Sequence, residues 1–512
     1  MVFSSVTFLF LFLPIVLTGY YLLPVRVRNH FLLFASLVFY YWGENVLVGL
    51  IGTVVAVNYF FALLIEKRNL IEQDPVMRTL EKRNRVKLFF FAVSSGTLLF
   101  ICLGVNLLFL AYFKYTGFIL ENTNAFLGFV GLGNPLIPSP GSIVLPLGVS
   151  FFTFQAMSYT MDVYSGRVKA NPSFVDFACY VTLFPQLVAG PIVRYRDIEG
   201  SLLCRRETLS GFSQGIFRFV MGLSKKVLVA NTMAETADAV FALPPGELST
   251  SLAWIGVICY TLQIYYDFSG YSDMAIGLGH MFGFRFLENF NYPYISRSIQ
   301  EFWRRWHISL SSWFRDYLYI PLGGNRRGGI RTCCNLMIVF FLCGLWHGAA
   351  WNYVVWGCFH GLFLVAERVG LSKLISLWHP FFRHLYTLVL VMVGWVLFRA
   401  ATLTDAFAML KVMAGAGTGS PGADYLLRIH LDPYTVFIIC LAMLFSAPVF
   451  PLLAGSCTKR SDRHDNIYIT EMAGDHFSKK PCWFYGIVIF MFILCLLRLS
   501  SGGYNPFIYF RF

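Results

Sequence analysis

Residues 340–351 read FFLCGLWHGAAW, and this stretch places His347 inside an apolar, aromatic run. Burying a titratable imidazole at membrane depth costs free energy, so a histidine in such a position is a functional candidate. If the stretch is one continuous helix, Cys343 and Trp351 lie one turn away on the same face as His347. The glycines on either side of the histidine would leave space beside its ring. The stretch alone equally allows a structural histidine that is bonded to a backbone carbonyl.

The composition of the whole chain excludes an ordinary soluble protein. Of the 512 residues, 57% are hydrophobic and 18% are aromatic. Charged residues make up 13%, which is about half of the usual quarter. Several charge-poor runs approach or exceed the roughly 20 residues that cross a bilayer as a helix. We therefore predict an all-α polytopic membrane protein whose outer surface contacts the lipid bilayer.

The charge of +13 does not indicate nucleic-acid binding. The basic residues lie in loops beside apolar segments, as the positive-inside rule predicts for membrane proteins. The chain has twelve cysteines but no CxxC pair. The adjacent Cys333 and Cys334 suit neither a metal site nor an ordinary disulfide, so we predict no metal and read most cysteines as small buried hydrophobes.

The first third of the chain predicts a topology. Residues 3–23 carry no charge and lack the basic start and cleavage site of a signal peptide, so a retained first membrane helix is expected. The basic loop at residues 66–87 is placed in the cytoplasm, which puts the N-terminus outside. Residues 121–142, rich in glycine, proline and asparagine, are expected to form an external loop. Residues 174–189 contain Pro185 and predict a helix broken within protein surroundings.

The rest of the chain continues the membrane pattern. Residues 288–331 interleave aromatic and charged residues, which is typical of helices lying at the membrane interface. Further apolar segments are expected at residues 31–43, 46–65, 88–113, 143–161, 211–230, 251–266, 332–366, 385–398, 434–453 and 483–497. Residues 457–481 form a highly charged loop. We expect one integral-membrane domain with N-terminal helices in residues 1–120, a core in 140–370 and C-terminal helices in 380–512.

A second histidine, His307, lies in the aromatic sequence WRRWHISLSSW. It is too far from His347 in sequence to share a helix, so only the fold could pair the two residues. A buried neutral imidazole is a natural base for taking a proton from a hydroxyl near neutral pH. His360 would lie near the opposite face of a continuous helix from His347, and a structural role is expected for it.

If that hydroxyl attacks an acyl group, the site also needs a hydrogen-bond donor for the oxyanion that develops on the carbonyl oxygen. The candidates near His347 are Trp346, Trp351 and Asn352. Cys343 could act as a covalent nucleophile. Its apolar neighbours disfavour the reactive thiolate, however, so it is the weaker candidate.

Several polar residues could bind a donor or an ion. Arg304, Arg305 and Asn325 are candidate donor contacts, and Asn325 lies in the glycine-arginine turn of residues 323–329, whose backbone N–H groups could receive phosphates. The positive-inside rule explains that turn equally well.

Asp267 and Asp273, in YYDFSGYSDMAIGLG, could form a proton or cation site in a transporter. They could equally be structural ions that pair with Arg285 or Arg304.

Two long motifs resemble the membrane-bound O-acyltransferase family. They are ENFNYPYISRSIQEFWRRWHISLSSWFRDYLYIPLGGNRRG and GLWHGAAWNYVVWGCFHG. The supporting segments are YFKYTGF (112–118), PLGVSFFTFQAMSYTMDVY (146–164), FPQLVAGPIVRY (184–195), YYDFSGYSDMAIGLG (265–279) and NPFIYFRF (505–512). The resemblance covers nearly the whole chain and is strongest to the bacterial alginate O-acetylation branch.

The resemblance implies a ring of roughly ten to twelve transmembrane helices, with re-entrant and interfacial helices around a central funnel and tunnel. It implies that His347 is the catalytic histidine and that His307 is the second functional position. The implied reaction moves acetyl groups from a cytoplasmic thioester such as acetyl-CoA, with no bound cofactor, to O-acetylate an exported or cell-surface polysaccharide. The implied location is the bacterial cytoplasmic membrane, and the implied partner is an extracytoplasmic SGNH or esterase-like transferase.

Two alternatives stay open at this stage. Within the same family, the acceptor could be peptidoglycan, or the reaction could be D-alanyl transfer to teichoic acid. From a different class of protein, the chain could be a polytopic transporter that uses Asp267 and Asp273 as an ion site.

Overall fold

A computed structural model describes residues 2–74, 93–131, 143–417, 425, 428–429, 431–449 and 482–506. Across these residues the chain is built of helices joined by turns and short loops, and none of them lies in a β-strand. Six helical stretches among them are long and apolar enough to cross a membrane. The predicted all-α polytopic membrane protein is therefore confirmed.

The described residues form a long series of helices. In chain order they are α1 (Leu13–Leu22), α2 (Arg28–Glu44), α3 (Val48–Gln73), α4 (Ser95–Leu110), α5 (Thr116–Phe129), α6 (Val149–Tyr164), α7 (Phe174–Thr182), α8 (Phe184–Leu187), α9 (Tyr195–Leu203), α10 (Leu209–Ser224), α11 (Asn231–Phe241), α12 (Thr250–Met281), α13 (Ile299–Arg305), α14 (Ile308–Phe314), α15 (Gly329–His347), α16 (Trp351–Ala366), α17 (Ser372–Ser376), α18 (Pro380–Arg399), α19 (Leu403–Lys411), α20 (Pro433–Phe445) and α21 (Cys482–Ser500). Several are extended by a π-helical turn.

Some predicted segment boundaries need correction. The start of the predicted loop at residues 121–142 is helical, because α5 continues to Phe129 through residues that a helix tolerates. The predicted crossing at residues 332–366 is two helices, α15 and α16. Residues 75–92, 132–142 and 457–481 lie outside the described part of the chain, so the basic and charged loops predicted there are not described further.

The chain divides into two compact units, and the first comprises residues 1–2, 7–207 and 282–286. Within it, a buried polar contact joins three helices: Asn58 on α3 donates to Asn106 on α4 at 2.9 Å and accepts from Thr160 on α6 at 2.9 Å. The predicted break in residues 174–189 is confirmed, because the chain leaves helical geometry at Leu183, between α7 and α8.

The second unit comprises residues 3–6, 208–281 and 287–512. Its longest helix, α12, packs against α10 at two glycine crossings. A Cβ atom on Gly277 would lie 2.6 Å from the carbonyl oxygen of Gly215, and one on Gly222 would lie 2.5 Å from the carbonyl oxygen of Gly270. The backbones of α10 and α12 are therefore in direct contact, which is the small-residue packing typical of membrane helices.

Ion pairs reinforce this helix pair. Asp267 lies within α12 and pairs with Lys226 at 2.9 Å, both side chains being buried. Asp273 accepts from Arg218 and Lys225, each at 2.6 Å. These partners lie on α10 and the π-helical turn after it, so the suggested pairing with Arg285 or Arg304 is wrong. Both carboxylates are structural ions, since buried charges are retained when they are paired.

We predict that Gly277→Val prevents α10 and α12 from reaching their observed separation. Overpacking of this kind costs about 1–3 kcal/mol or more, because backbone rather than a mobile side chain must move. The measurement is the amount of folded protein in membranes and its thermal stability in detergent, both of which should fall.

Gly486→Ala is the matched control, because an added Cβ at Gly486 on α21 meets no atom within 4 Å. Equal stability of Gly277→Val and the wild type would contradict the close crossing.

Candidate active site

His347 is the last residue of α15, and the chain turns directly after it. Gly348 has extended backbone angles of φ −165° and ψ 153°, and α16 begins at Trp351. The prediction of one continuous helix through residues 340–351 is therefore wrong beyond His347. Cys343 does lie one turn before His347 on α15. Trp351, in contrast, is the first residue of the next helix and is 54% exposed.

Three glycines allow α15 and α16 to pack with their backbones in contact. A Cβ atom on Gly344 would lie 2.4 Å from the carbonyl oxygen of Tyr353, and one on Gly357 would lie 2.2 Å from the carbonyl oxygen of Phe340. A Cβ on Gly348 would lie 2.2 Å from the ring of Tyr353. A larger residue at Gly344 or Gly357 would push the two backbones apart, and one at Gly348 would displace the ring of Tyr353.

Aromatic rings enclose the imidazole of His347. Its centroid lies 4.9 Å from the ring of Trp346, 5.0 Å from that of Trp356 and 5.2 Å from that of Phe398, all nearly perpendicular to it. These rings come from α15, α16 and α18. His347 is 8% exposed. A polar group in such an apolar enclosure interacts more strongly with a partner than it would in water.

His307 lies in the turn between α13 and α14 and has a left-handed backbone conformation (φ 43°, ψ 55°). Among the described residues, only three that are not glycine have positive φ, the others being Asn45 and Tyr292. Such a conformation costs free energy and is found preferentially at functional sites. The His307 ring is 1% exposed, and Phe268 of α12 packs against it at 4.6 Å.

Asn289 orients the ring of His307. The Asn289 Oδ1 atom lies 3.2 Å from His307 Nδ1 and accepts from the backbone N–H and the hydroxyl of Ser309 at 3.1 and 2.9 Å. Because the backbone N–H can only donate, the Asn289 atom facing His307 is an acceptor, and a hydrogen bond between the two side chains requires the proton on Nδ1. The Ser309 hydroxyl also lies 3.4 Å from Nδ1. Nε2 is then an unprotonated acceptor, and it is buried without a hydrogen-bond partner among the described residues.

The fold brings both histidines into contact with the indole of Trp346. The ring of Trp346 lies 6.1 Å from that of His307 and 4.9 Å from that of His347. Sequence reasoning could name both histidines but could not pair them, since the contact depends on where α13 and α14 lie against α15. A single buried cluster with two imidazoles suits proton transfer better than either residue alone.

The other predicted site residues are placed less centrally. Asn352 donates its amide to the carbonyl oxygen of Ala400 at 2.9 Å, which anchors the start of α16. Arg305 donates to Glu301 and to the carbonyl oxygen of Asn291. Arg304 is exposed, and Asn325 accepts from the hydroxyl of Tyr319 on an exposed turn. Of the proposed donor contacts, Trp346 is the one whose described contacts reach both imidazoles.

Sequence reasoning missed Trp356, Asn289 and the position of His360. The ring of His360 is 1% exposed and lies 5.2 Å from Trp356 and 5.2 Å from Trp303. Because the chain breaks after His347, the face of His360 cannot be counted along one helix, and its expected structural role stays a prediction. The one-turn spacing of Trp356 and His360 in WGCFH was the available signal.

We predict that Asn289→Ala destabilises the protein more than Ser309→Ala. The first change leaves the buried His307 Nδ1–H and Ser309 N–H without their acceptor, at about 1–3 kcal/mol for each unsatisfied group. The second change removes a hydroxyl and keeps the Asn289 acceptor. Thermal denaturation in detergent measures the difference, and equal midpoints for both variants would contradict the role of Asn289.

Comparisons with known proteins show which family the chain belongs to. The sequence model of the membrane-bound O-acyltransferase family matches residues 167–404, a range that includes both histidines. The chain is 41% identical to a probable alginate O-acetylase of Pseudomonas putida and 40% identical to one of Azotobacter vinelandii, over the full length of all three chains. It is 33% identical to a peptidoglycan O-acetyltransferase of Helicobacter pylori over 90% of each chain. With its helical membrane fold and its two buried histidines, the chain belongs to the membrane-bound O-acyltransferase family.

Proposed function

We propose that this O-acyltransferase moves acetyl groups from a cytoplasmic thioester, acetyl-CoA, for the O-acetylation of an exported or cell-surface polysaccharide of the alginate type. The observation that carries the proposal is the buried cluster of His347, Trp346 and His307 within a chain that matches alginate O-acetylases from end to end. We further propose that the chain lies in the bacterial cytoplasmic membrane, where a cytoplasmic donor and an external acceptor are both within reach.

In the proposed reaction His347 is the general base. A ring nitrogen of His347 takes the proton of the acceptor hydroxyl while that oxygen bonds to the carbonyl carbon of the thioester. The C–S bond then breaks, and the imidazolium returns the proton to the departing thiolate. His307 Nε2 is a buried acceptor with no hydrogen-bond partner among the described residues, so it can accept from a second donor group of the acceptor substrate while His347 takes the reacting proton.

The indole of Trp356 is our candidate for stabilising the oxyanion. Its Nε1–H is buried and has no hydrogen-bond partner among the described residues, and its ring contacts that of His347 at 5.0 Å. A donor held in place before the reaction stabilises the developing negative charge without reorganising. The ring of Trp346 contacts both imidazoles, which gives it a packing role in addition to any polar one.

The final ester is assigned to a separate protein. We propose an extracytoplasmic esterase-like transferase that receives the acetyl group and modifies the sugar, so that this chain acts as the membrane relay. Peptidoglycan is the second candidate acceptor, and the similarity to a peptidoglycan O-acetyltransferase over 90% of the chain supports it.

We predict that His347→Ala abolishes acetyl transfer while the protein still accumulates in membranes. A general base contributes about 10²–10⁴-fold to the rate, so the acetyl esters should fall to background. The measurement is the acetate released by mild base from exported polysaccharide and, separately, from peptidoglycan. It is made in cells whose own copy of the gene is replaced by the variant.

Two variants serve as controls for this experiment. His379→Ala removes an exposed histidine at the start of α18 and should keep wild-type ester content. Cys343→Ala, one turn from His347, should also keep it if the histidine rather than the thiol acts. Normal esters in His347→Ala would overturn the proposed function, whereas loss in Cys343→Ala would favour a covalent thiol mechanism.

We also predict that Trp356→Phe lowers the transfer rate by about 10²–10³-fold, because the ring packing stays and the N–H donor is lost. Trp303→Phe is the matched control: its indole N–H is also buried and unpartnered among the described residues, but its ring contacts Phe302, Phe340, Trp356 and His360 rather than His347. Similar losses in both variants, measured as ester content at equal protein abundance, would reject Trp356 as the oxyanion donor.

A further inference from the structure

Glu367 is a buried carboxylate that the transfer chemistry does not use. It begins the π-helical turn Glu367–Leu371 directly after α16 and is 4% exposed. Its two oxygens accept from the backbone N–H groups of Ile299 at 2.7 Å and Gln300 at 3.0 Å. The hydroxyl of Tyr386, on α18, lies 3.4 Å from one of these oxygens. One side chain thus links three elements of the second unit.

The two N–H groups belong to the first turn of α13, where a helix has no internal acceptors. Other residues satisfy the neighbouring amides: the Ser298 hydroxyl accepts from the N–H of Glu301 at 3.0 Å, and the Glu301 carboxylate accepts from that of Arg297 at 2.9 Å. Ile299 and Gln300 are left for Glu367. Without it, the buried amide of Ile299 would be unpaired and the part-buried amide of Gln300 would lose its acceptor, which destabilises the start of α13.

The helix that Glu367 holds leads directly to His307. α13 has seven residues, too few for a helix to be stable by itself, so its position depends on contacts made from outside. His307 follows the helix after Trp306, in the strained turn described above. Glu367 in turn extends from α16, the helix that carries Trp356 against His347. The carboxylate therefore joins the segment of one histidine to the packing partner of the other.

We propose that Glu367 is a positioning residue that sets His307 relative to His347, and that transfer requires this bridge between α16 and α13. The inference rests on the proposed function, because it assumes that both histidines act on one acceptor. Burying a carboxylate beside membrane helices costs free energy. Two hydrogen bonds to the short helix α13, which leads to His307, offset part of this cost.

The variant that tests the bridge is Glu367→Gln in the full-length protein. The amide has the same shape, but it keeps one acceptor oxygen and turns an N–H₂ group towards a backbone N–H. We expect kcat with acetyl-CoA to fall about tenfold to a hundredfold, since misplacement of a reacting group by about 1 Å has effects of this size. KM for acetyl-CoA should stay within about twofold, since the donor itself does not contact Glu367 in this proposal. Glu367→Ala should lose more.

A second measurement does not depend on activity. Amide hydrogen exchange in the segment 297–307 should rise in Glu367→Gln, because one of the two amides of Ile299 and Gln300 loses its acceptor, while α18 keeps its wild-type protection. A matched control is Glu235→Gln, whose carboxylate pairs with Arg498 at 2.9 Å where both side chains are more than a third exposed. It should leave kcat, KM and exchange unchanged.

The outcomes separate the two proposals. A wild-type kcat in Glu367→Gln beside an inactive His347→Ala overturns the positioning role and leaves the proposed function standing. Exchange that rises equally in 297–307 and in α18 overturns it as well, because Glu367 would then act on general stability. A wild-type rate in His347→Ala overturns the proposed function itself, whatever the Glu367 variants do.

Discussion

The contact between the backbones of α15 and α16 at Gly344 and Gly357 is the constraint on which the site depends. Added Cβ atoms there would lie 2.4 and 2.2 Å from carbonyl oxygens of the facing helix, so no side chain can separate the two. This closeness brings Trp356 onto the ring of His347. In the hydrocarbon core of a membrane the hydrophobic effect does not drive helices together. Close van der Waals packing between small residues therefore contributes much of the association.

The absence of water also explains why buried polar side chains have partners within the protein. Asn58, Asn106 and Thr160 satisfy one another in the first unit, and Asp267 and Asp273 are paired with cations in the second. His307 is treated differently. One of its nitrogens is held by Asn289, and the other is left as a buried acceptor. An unsatisfied acceptor at that depth is expensive, and a substrate hydroxyl is a partner that would compensate for it.

The relatives help to separate transfer chemistry from acceptor choice. Proteins named for alginate and for peptidoglycan each match nine-tenths or more of the chain. The family match at residues 167–404 contains the histidines, Asn289 and Glu367. Similarity over most of the chain is therefore compatible with more than one acceptor. The carboxylates that suggested a transporter are occupied by structural ion pairs within the second unit.

The sequence by itself determined the membrane class, the helical fold, most apolar segments and the identity of the two histidines, because hydropathy and local motifs depend on neighbours along the chain. It could not show that α15 ends at His347, since the chain turns there to bring α16 back against α15 at Gly344 and Gly357, and that packing is a tertiary contact. It therefore misplaced Trp351, whose position was counted along one helix. Only the tertiary structure decided that the ring of Trp346 contacts both imidazoles, that Asn289 bonds to Nδ1 of His307 and that Glu367 holds α13. Each of these depends on contacts between residues far apart in sequence, and such contacts are set by how the helices pack.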